Sequence, residues 1–239
     1  MNKVDLLFIV DVTGSMGSFI SDAKQRMTSI LNNLKSEFKV DLQVGLSLYR
    51  DHPSEDPSFV TAICDLIEVV DVQEKISKIN VSGGGDFPEA VFDGIIDGIS
   101  SMSWRDDSRR IAFLIGDAPP QGMDESDRKC CLCGKTWGDA VVIAQENNVI
   151  IYSIALGYHN ITKESFKTIS NFTGGLLVEG SNAMDIILET LKSEFDNMNL
   201  DSKILEMLSS DFSIDDICKM LNIDREKLSE SKSRIAQHI

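Results

Sequence analysis

The chain predicts a doubly wound α/β fold with a mostly parallel central sheet, and three observations carry that expectation. Apolar β-branched runs alternate with helical patterns. Several of those runs are apolar on consecutive residues, as strands buried on both faces require. Glycine-rich turns separate strand from helix at the points where a crossover would begin. The chain has 239 residues and 42% hydrophobic content, enough for one sizeable domain and a small appendage.

The strands are expected at Val4–Val10, Val40–Tyr49, Arg110–Gly116, Val149–Leu156 and Gly175–Glu179, with Phe59–Cys64 as a shorter edge strand. Helical spacing covers Ser18–Lys35, Val72–Ile79, Pro88–Ser101, Lys135–Asn147 and Asn182–Asn197. Pro88, after three consecutive glycines, suits the first turn of a helix, where its missing N–H costs nothing. The Gly116–Gly122 segment, GDAPPQG, ends a strand in a rigid loop. From about Leu200 the strand signals stop, and short helical patterns follow with Ser213 and Asp224 as N-caps. The expected division is an α/β domain over 1–198 and a helical tail over 199–239.

The net charge of −15, from 38 acidic and 23 basic side chains, disfavours nucleic acid and anionic membranes, whose phosphates call for Lys and Arg. It suits a soluble protein that binds a cation or a basic partner. No apolar run reaches the length of about 18 residues that suggests a membrane span, and the opening MNKVDLLFIV does not read as a signal peptide. Five cysteines, Cys64, Cys130, Cys131, Cys133 and Cys218, are odd in number and irregularly spaced. No disulfide framework is expected, and a reducing, cytoplasmic setting is.

The chemistry gathers at the strand ends, where open parallel sheets bind ligands. The stretch Leu6–Phe19, LLFIVDVTGSMGSF, ends an apolar run in Asp11 and then places Thr13 and Ser15 at alternate positions. Burying a lone carboxylate there is costly. A second loop carries Asp86, with Glu89 nearby, and a third carries Asp117. Every member is an oxygen donor, a set that suits Mg2+ or Mn2+ better than zinc. A cation at this point would neutralise Asp11 and leave one coordination position open to a partner. For Glu89 alone, stabilisation of a helix N-terminus is the plainer reading; for Asp51, an exposed loop acid.

At these residues the sequence resembles a known family. Asp11–Ser15, DVTGS, matches the DxSxS motif of the metal-ion-dependent adhesion site (MIDAS) of von Willebrand factor type A domains, with Thr13 in place of the first serine. The resemblance extends over roughly residues 3–197, and the GGGDFPEA and IGDAPPQG loops are similar to those of intracellular and bacterial members. It implies a Rossmann-like fold and metal-dependent binding of a partner protein's acidic side chain, without catalysis. Asp11, Thr13, Ser15 and Asp117 map onto the family's first and third loops. The second loop of the family supplies a threonine, and here that position falls near Asp86. The partner expected is a protein with an exposed Asp or Glu in a neutral or basic patch, which offsets repulsion from the acidic body.

Other motifs weigh less. Cys130–Gly134, CCLCG, invites a zinc reading but supplies only two or three of four ligands, and spacing does not single out His52 or His159. Free thiols in a loop are expected. The rhythm of Ser213–Ile235 is that of a helix-turn-helix, yet acids outnumber Lys and Arg after Asn199, so a packing or protein-binding module is expected. There is no P-loop and no GxSxG elbow. A metal-assisted phosphoesterase on Asp11, Asp86 and Asp117 is the enzymatic alternative, with Glu89 or Asp51 as its base.

Overall fold

A computed structural model describes residues 2–53, 56, 58–84, 87–124, 130–178 and 182–236. It falls into two compact units, residues 1–187 and 188–239.

The first unit is built on a five-stranded sheet of β1 (Lys3–Asp11), β2 (Asp41–Tyr49), β3 (Thr61–Glu68), β4 (Ser108–Gly116) and β5 (Val149–Ala155). The spatial order is β3-β2-β1-β4-β5. All pairs are parallel except β2 with β3, which is antiparallel at the edge. The central strands are apolar on both faces because both faces are covered. Leu7, Ile9, Ala112, Leu114 and Ile151 pack with Val91, Phe92 and Ile95 of α3 (Val91–Ser101), Ala140 and Ala144 of α4 (Trp137–Glu146), and Phe166 and Ile169 of α5 (Asn160–Phe172). The alternate set, Leu6, Phe8, Val10, Phe113 and Ile115, is equally buried, and Phe8 stacks on Phe113 with ring centroids 5.8 Å apart. Helices α1 (Gly17–Phe38) and α2 (Val69–Ser77) pack against each other. In α1 the buried Ile20, Ala23, Met27, Ile30, Leu31 and Leu34 recur at helical spacing, and Lys39 in the left-handed region ends it.

At the N-terminal end of the sheet, Asp5 is fully buried beneath Arg105. The guanidinium Nε lies 2.6 Å from Asp5 Oδ1, and the Arg105 N–H and Ser108 hydroxyl donate to Oδ2.

The sequence-based boundaries hold for the central strands and shift elsewhere. Residues 175–178 form no strand; Leu177 makes an isolated bridge to Ser153, and Glu179 lies outside the described residues. The edge strand runs to Glu68, well beyond Cys64. Pro88 is not in the first turn of α3, which starts at Val91 after Ala90; Glu89 instead bridges Pro120 of the neighbouring loop. Helix α5 went unforeseen. Its NITKESFKTISNF is mostly polar, and only Thr162, Ser165, Phe166, Ile169 and Ser170 face inward.

Helix α6 (Ala183–Ser209) is followed by α7 (Ile214–Leu221) and α8 (Arg225–Ala236). Ile204, Ile217 and Leu228 form the core of the second unit. Ser213 caps α7, accepting from the Asp216 N–H, and Asp224 accepts from the Lys227 N–H at the start of α8. Arg234 grips Asp201 with two hydrogen bonds, at 2.9 and 2.7 Å.

Candidate metal centre

The strand order reverses between the parallel neighbours β1 and β4: β2 and β3 lie on one side of β1, β4 and β5 on the other. The crevice at the carboxyl ends of these two strands is the topological switch point, the usual ligand position in such sheets. Val10 pairs with Ile115, so Asp11 and Asp117 leave the sheet at neighbouring positions.

Asp11 ends β1 fully buried. Its Oδ1 accepts two hydrogen bonds, from the Thr13 N–H at 2.8 Å and the Thr13 hydroxyl at 2.7 Å. These fold the loop back and bring the Thr13 hydroxyl within 3.4 Å of the Ser15 hydroxyl. The second oxygen, Oδ2, is buried with no hydrogen-bond partner. Burial raises the Asp11 pKa to about 6, against the Thr13 hydrogen bonds that pull it down and with a further push from nearby Asp117.

A cleft of about 280 Å3 opens over these groups, lined by Thr13, Ser15, Gly83, Gly84, Glu89 and Asp117 among others. Residues 81–84 are tied to the first loop: the Gly14 N–H donates to the Gly83 carbonyl, and the Ser82 N–H to the Val12 carbonyl. Gly83 has φ +78°, and a Cβ there would collide with Asp56 Oδ2. Only glycine fits.

Of the five proposed ligands, Thr13, Ser15 and Asp117 line the cleft, and Asp11 is buried next to it, bonded to Thr13. Asp86 lies outside the described residues. Two acids sit otherwise than expected. Glu89 is buried and lines the cleft, and its backbone joins the second loop to the third through the Pro119 carbonyl and the Gln121 N–H. Asp51 is fully buried, not an exposed loop acid, and its Oδ1 accepts from the His52 N–H and from Gln121 Nε2.

Two nearby residues escaped the sequence reading. Tyr49 is wholly buried at the end of β2, its hydroxyl 3.4 Å from the Ile115 carbonyl. Burial, with Asp11, Glu89 and Asp117 around it, holds its phenol well above the ordinary value. Arg50 is buried beside it, bonded to Ser58 and to the Asn80 carbonyl, and its charge favours ionised Asp11. A cation directly after a buried strand at the carboxyl edge was the available signal.

The donor set fits a hard divalent cation: a buried, partly orphaned carboxylate, two hydroxyls and a second carboxylate, with no nitrogen or sulfur among them. Fold and site thus define a doubly wound α/β domain with an oxygen-lined crevice at its switch point. Residues 5–182 match the von Willebrand factor A domain family, and the chain belongs to it. It is 36% identical over 126 residues to the alpha-protein kinase vwkA of Dictyostelium discoideum, a match covering 51% of this chain and 19% of that protein. The chain therefore spans about a fifth of that relative's length. Among solved structures it is similar in fold to the pilus adhesin SpaC of Lactobacillus rhamnosus GG, with TM-score 0.55 and 13% identity, covering 82% of this chain and 30% of the adhesin. Proximal thread matrix protein 1 of the mussel byssus gives TM-score 0.52 and 13% identity, covering 80% and 45%.

Proposed function

We propose that residues 1–198 form a divalent-cation-dependent protein-binding module that recognises an acidic side chain of a partner protein. The observation that carries this reading is Asp11 Oδ2, a buried carboxylate oxygen without a partner, next to a cleft lined by the hydroxyls of Thr13 and Ser15 and the acids Glu89 and Asp117. Family membership supports the same role. Asp11, Thr13, Ser15 and Asp117 hold Mg2+ or Mn2+, with Asp86 as a fifth ligand. When bound, the cation supplies local positive charge that receives a carboxylate from outside.

The chain's own residues do the positioning. Thr13 holds one Asp11 oxygen and leaves the other without a partner. The Glu89 backbone fixes the third loop beside the second. The body carries −15, so an approaching acid is repelled once it comes within about a Debye length, near 8 Å at physiological salt, and only the bound cation reverses that sign locally. The recognised acid accordingly sits in a neutral or basic patch, which offsets that repulsion and raises the on-rate. Neither nucleic acid nor anionic lipid suits such a surface. None of the five cysteines is paired, which supports a cytoplasmic setting; no helix of the described residues is long and apolar enough to cross a membrane.

The test is a pull-down with the full chain in millimolar Mg2+, repeated in chelator and with Asp117→Ala. Capture should be lost in both controls. Asp86→Thr keeps an oxygen and removes a charge, so it should weaken the metal and strengthen partner binding. Undiminished capture in chelator overturns the reading, and metal-dependent phosphoester cleavage by the same protein would replace it with an enzymatic one.

A further inference from the structure

His52, Asp93, Cys131 and Cys133 come from three separate parts of the chain: the turn after β2, the first turn of α3, and the loop between β4 and α4. Their ligand atoms all lie within 4.8 Å of one another. None of the four lines the Thr13–Asp117 cleft. Asp93 Oδ2 is the common vertex, at 3.0 Å from Cys131 Sγ, 3.3 Å from His52 Nε2 and 3.5 Å from Cys133 Sγ. His52 Nε2 is 2.9 Å from Cys131 Sγ. With metal–ligand bonds of about 2.0–2.3 Å, the edges of a zinc tetrahedron are about 3.3–3.8 Å long. The three contacts of Asp93 Oδ2 need to change by only tenths of an ångström to match those edges.

We infer that these four side chains form a structural zinc site with two thiolates, one imidazole and one carboxylate, separate from the hard-cation cleft. It is a closed site: His52, Asp93 and Cys131 are buried and only Cys133 is exposed. The loop is shaped for it. Gly122, at φ +90°, lets the chain pass so near Cys130 that a Cβ would fall 2.7 Å from the Cys130 nitrogen. The Cys131 N–H donates to the Lys135 carbonyl and the Gly134 N–H to the Cys131 carbonyl, closing a tight knuckle. The Cys133 N–H is directed to Cys131 Sγ and the Lys135 N–H to Cys133 Sγ, hydrogen bonds that favour thiolates.

Two thiolates and one carboxylate around a dication sum to −1, and Lys135, shared between Asp93 Oδ1 at 2.8 Å and Asp97 Oδ1 at 2.6 Å, offsets part of that charge. The Asp93 contact occupies Oδ1 and leaves Oδ2 to face the ion. Gln121 is the supporting shell: Oε1 accepts from the Leu132 N–H and Nε2 donates to Asp51.

A catalytic triad with a cysteine nucleophile does not fit these contacts. In such triads the acid orients the ring through the nitrogen that faces away from the thiol. Here the one nitrogen, Nε2, faces both Cys131 and Asp93. Cys131 is 2% exposed, which leaves no approach for a substrate. The site instead staples the loop that follows Asp117 to the turn carrying Asp51 and to α3.

The test titrates the reduced, metal-free full chain with Co2+, carrying Asp11→Ala to silence the hard-cation cleft. We expect one equivalent to produce a cobalt–thiolate charge-transfer band and the visible bands of tetrahedral cobalt, both abolished by one equivalent of Zn2+. Cys133→Ser, at an exposed position that packing tolerates, should weaken the ion at least tenfold. Zn2+ should protect the exposed Cys133 from alkylation, read by mass spectrometry, and leave Cys64 and Cys218 unprotected. Absence of the thiolate band, a band unchanged in Cys133→Ser, or a Cys131–Cys133 disulfide that forms in the presence of equimolar Zn2+ would each overturn the site.

Discussion

Thr13 holds one oxygen of Asp11 with both its N–H and its hydroxyl, at 2.8 and 2.7 Å, and thereby leaves the other oxygen buried with no partner. A two-residue loop thus presents one desolvated lone-pair surface at the mouth of β1. The consequences can be measured on the isolated protein.

The first concerns pH. Burial raises Asp11 from its ordinary 3.8 to about 6, so its contribution to stability is fully present below 3.8 and is lost as pH rises through 6. At about 1.4 kcal/mol for each unit, the ionised group costs the metal-free protein about 3 kcal/mol at pH 7.5. Asp11→Asn should therefore be more stable than the parent in chelator at pH 7.5, with the gap narrowing at pH 5. Millimolar Mg2+ should reverse the order, since a ligand at a hundredfold excess over Kd stabilises the folded state by about 2.7 kcal/mol. Urea denaturation at the two pH values checks this, and identical curves with and without Mg2+ would remove the site.

Removing the Thr13 hydroxyl alone is a finer probe. Thr13→Val keeps the side-chain shape, deletes the bond to Asp11 Oδ1 and one proposed ligand, and should cost about 1–3 kcal/mol. Calorimetric Mn2+ binding should weaken in Thr13→Val and recover in Thr13→Ser. Equal affinity in all three proteins would show that the hydroxyl only shapes the turn.

At the opposite end of the sheet, Arg105→Ala strips the guanidinium from fully buried Asp5. Breaking a buried pair from one side costs about 3–5 kcal/mol, because the remaining charge is left uncompensated. The equilibrium unfolding midpoint should fall accordingly while metal affinity in the folded protein is unchanged. A loss under about 1 kcal/mol, the range of an exposed pair, would mean that water reaches Asp5.

The second unit rests on a small core. Ile217 is fully buried among Ile204 and Leu228, and Ile217→Ala should cost about 2–5 kcal/mol. Hydrogen exchange at α7 and α8 should accelerate, while exchange in β1 and β4 stays as it was. Unchanged protection in α7 would place its stability elsewhere.

What the sequence determined by itself follows from local chemistry. Short β-branched apolar runs bounded by turn residues read as strands buried on both faces, so β1, β4 and β5 were legible, as was the sheet class. Asp11, Thr13 and Ser15 were legible together because two-residue spacing in one loop acts within a few ångströms, and Ser213 and Asp224 were legible as caps for the same reason. Residues that depend on distant partners were decided by the tertiary structure alone. Helix α5 buries one narrow stripe and needs β5 beside it; by itself its polar surface hides it. Residues 175–178 look like a strand but reach only one bridge, because strand identity is settled by the partner rather than by β propensity. Asp51 read as a loop acid until Gln121, 70 positions away, was seen to bond it, and Glu89 as a helix-end charge until its backbone joined Pro119 and Gln121. The widest gap is that between His52 and Cys131. Their 2.9 Å approach spans 79 positions, and no spacing rule reads a contact that only the packing of β2, α3 and the loop after β4 creates.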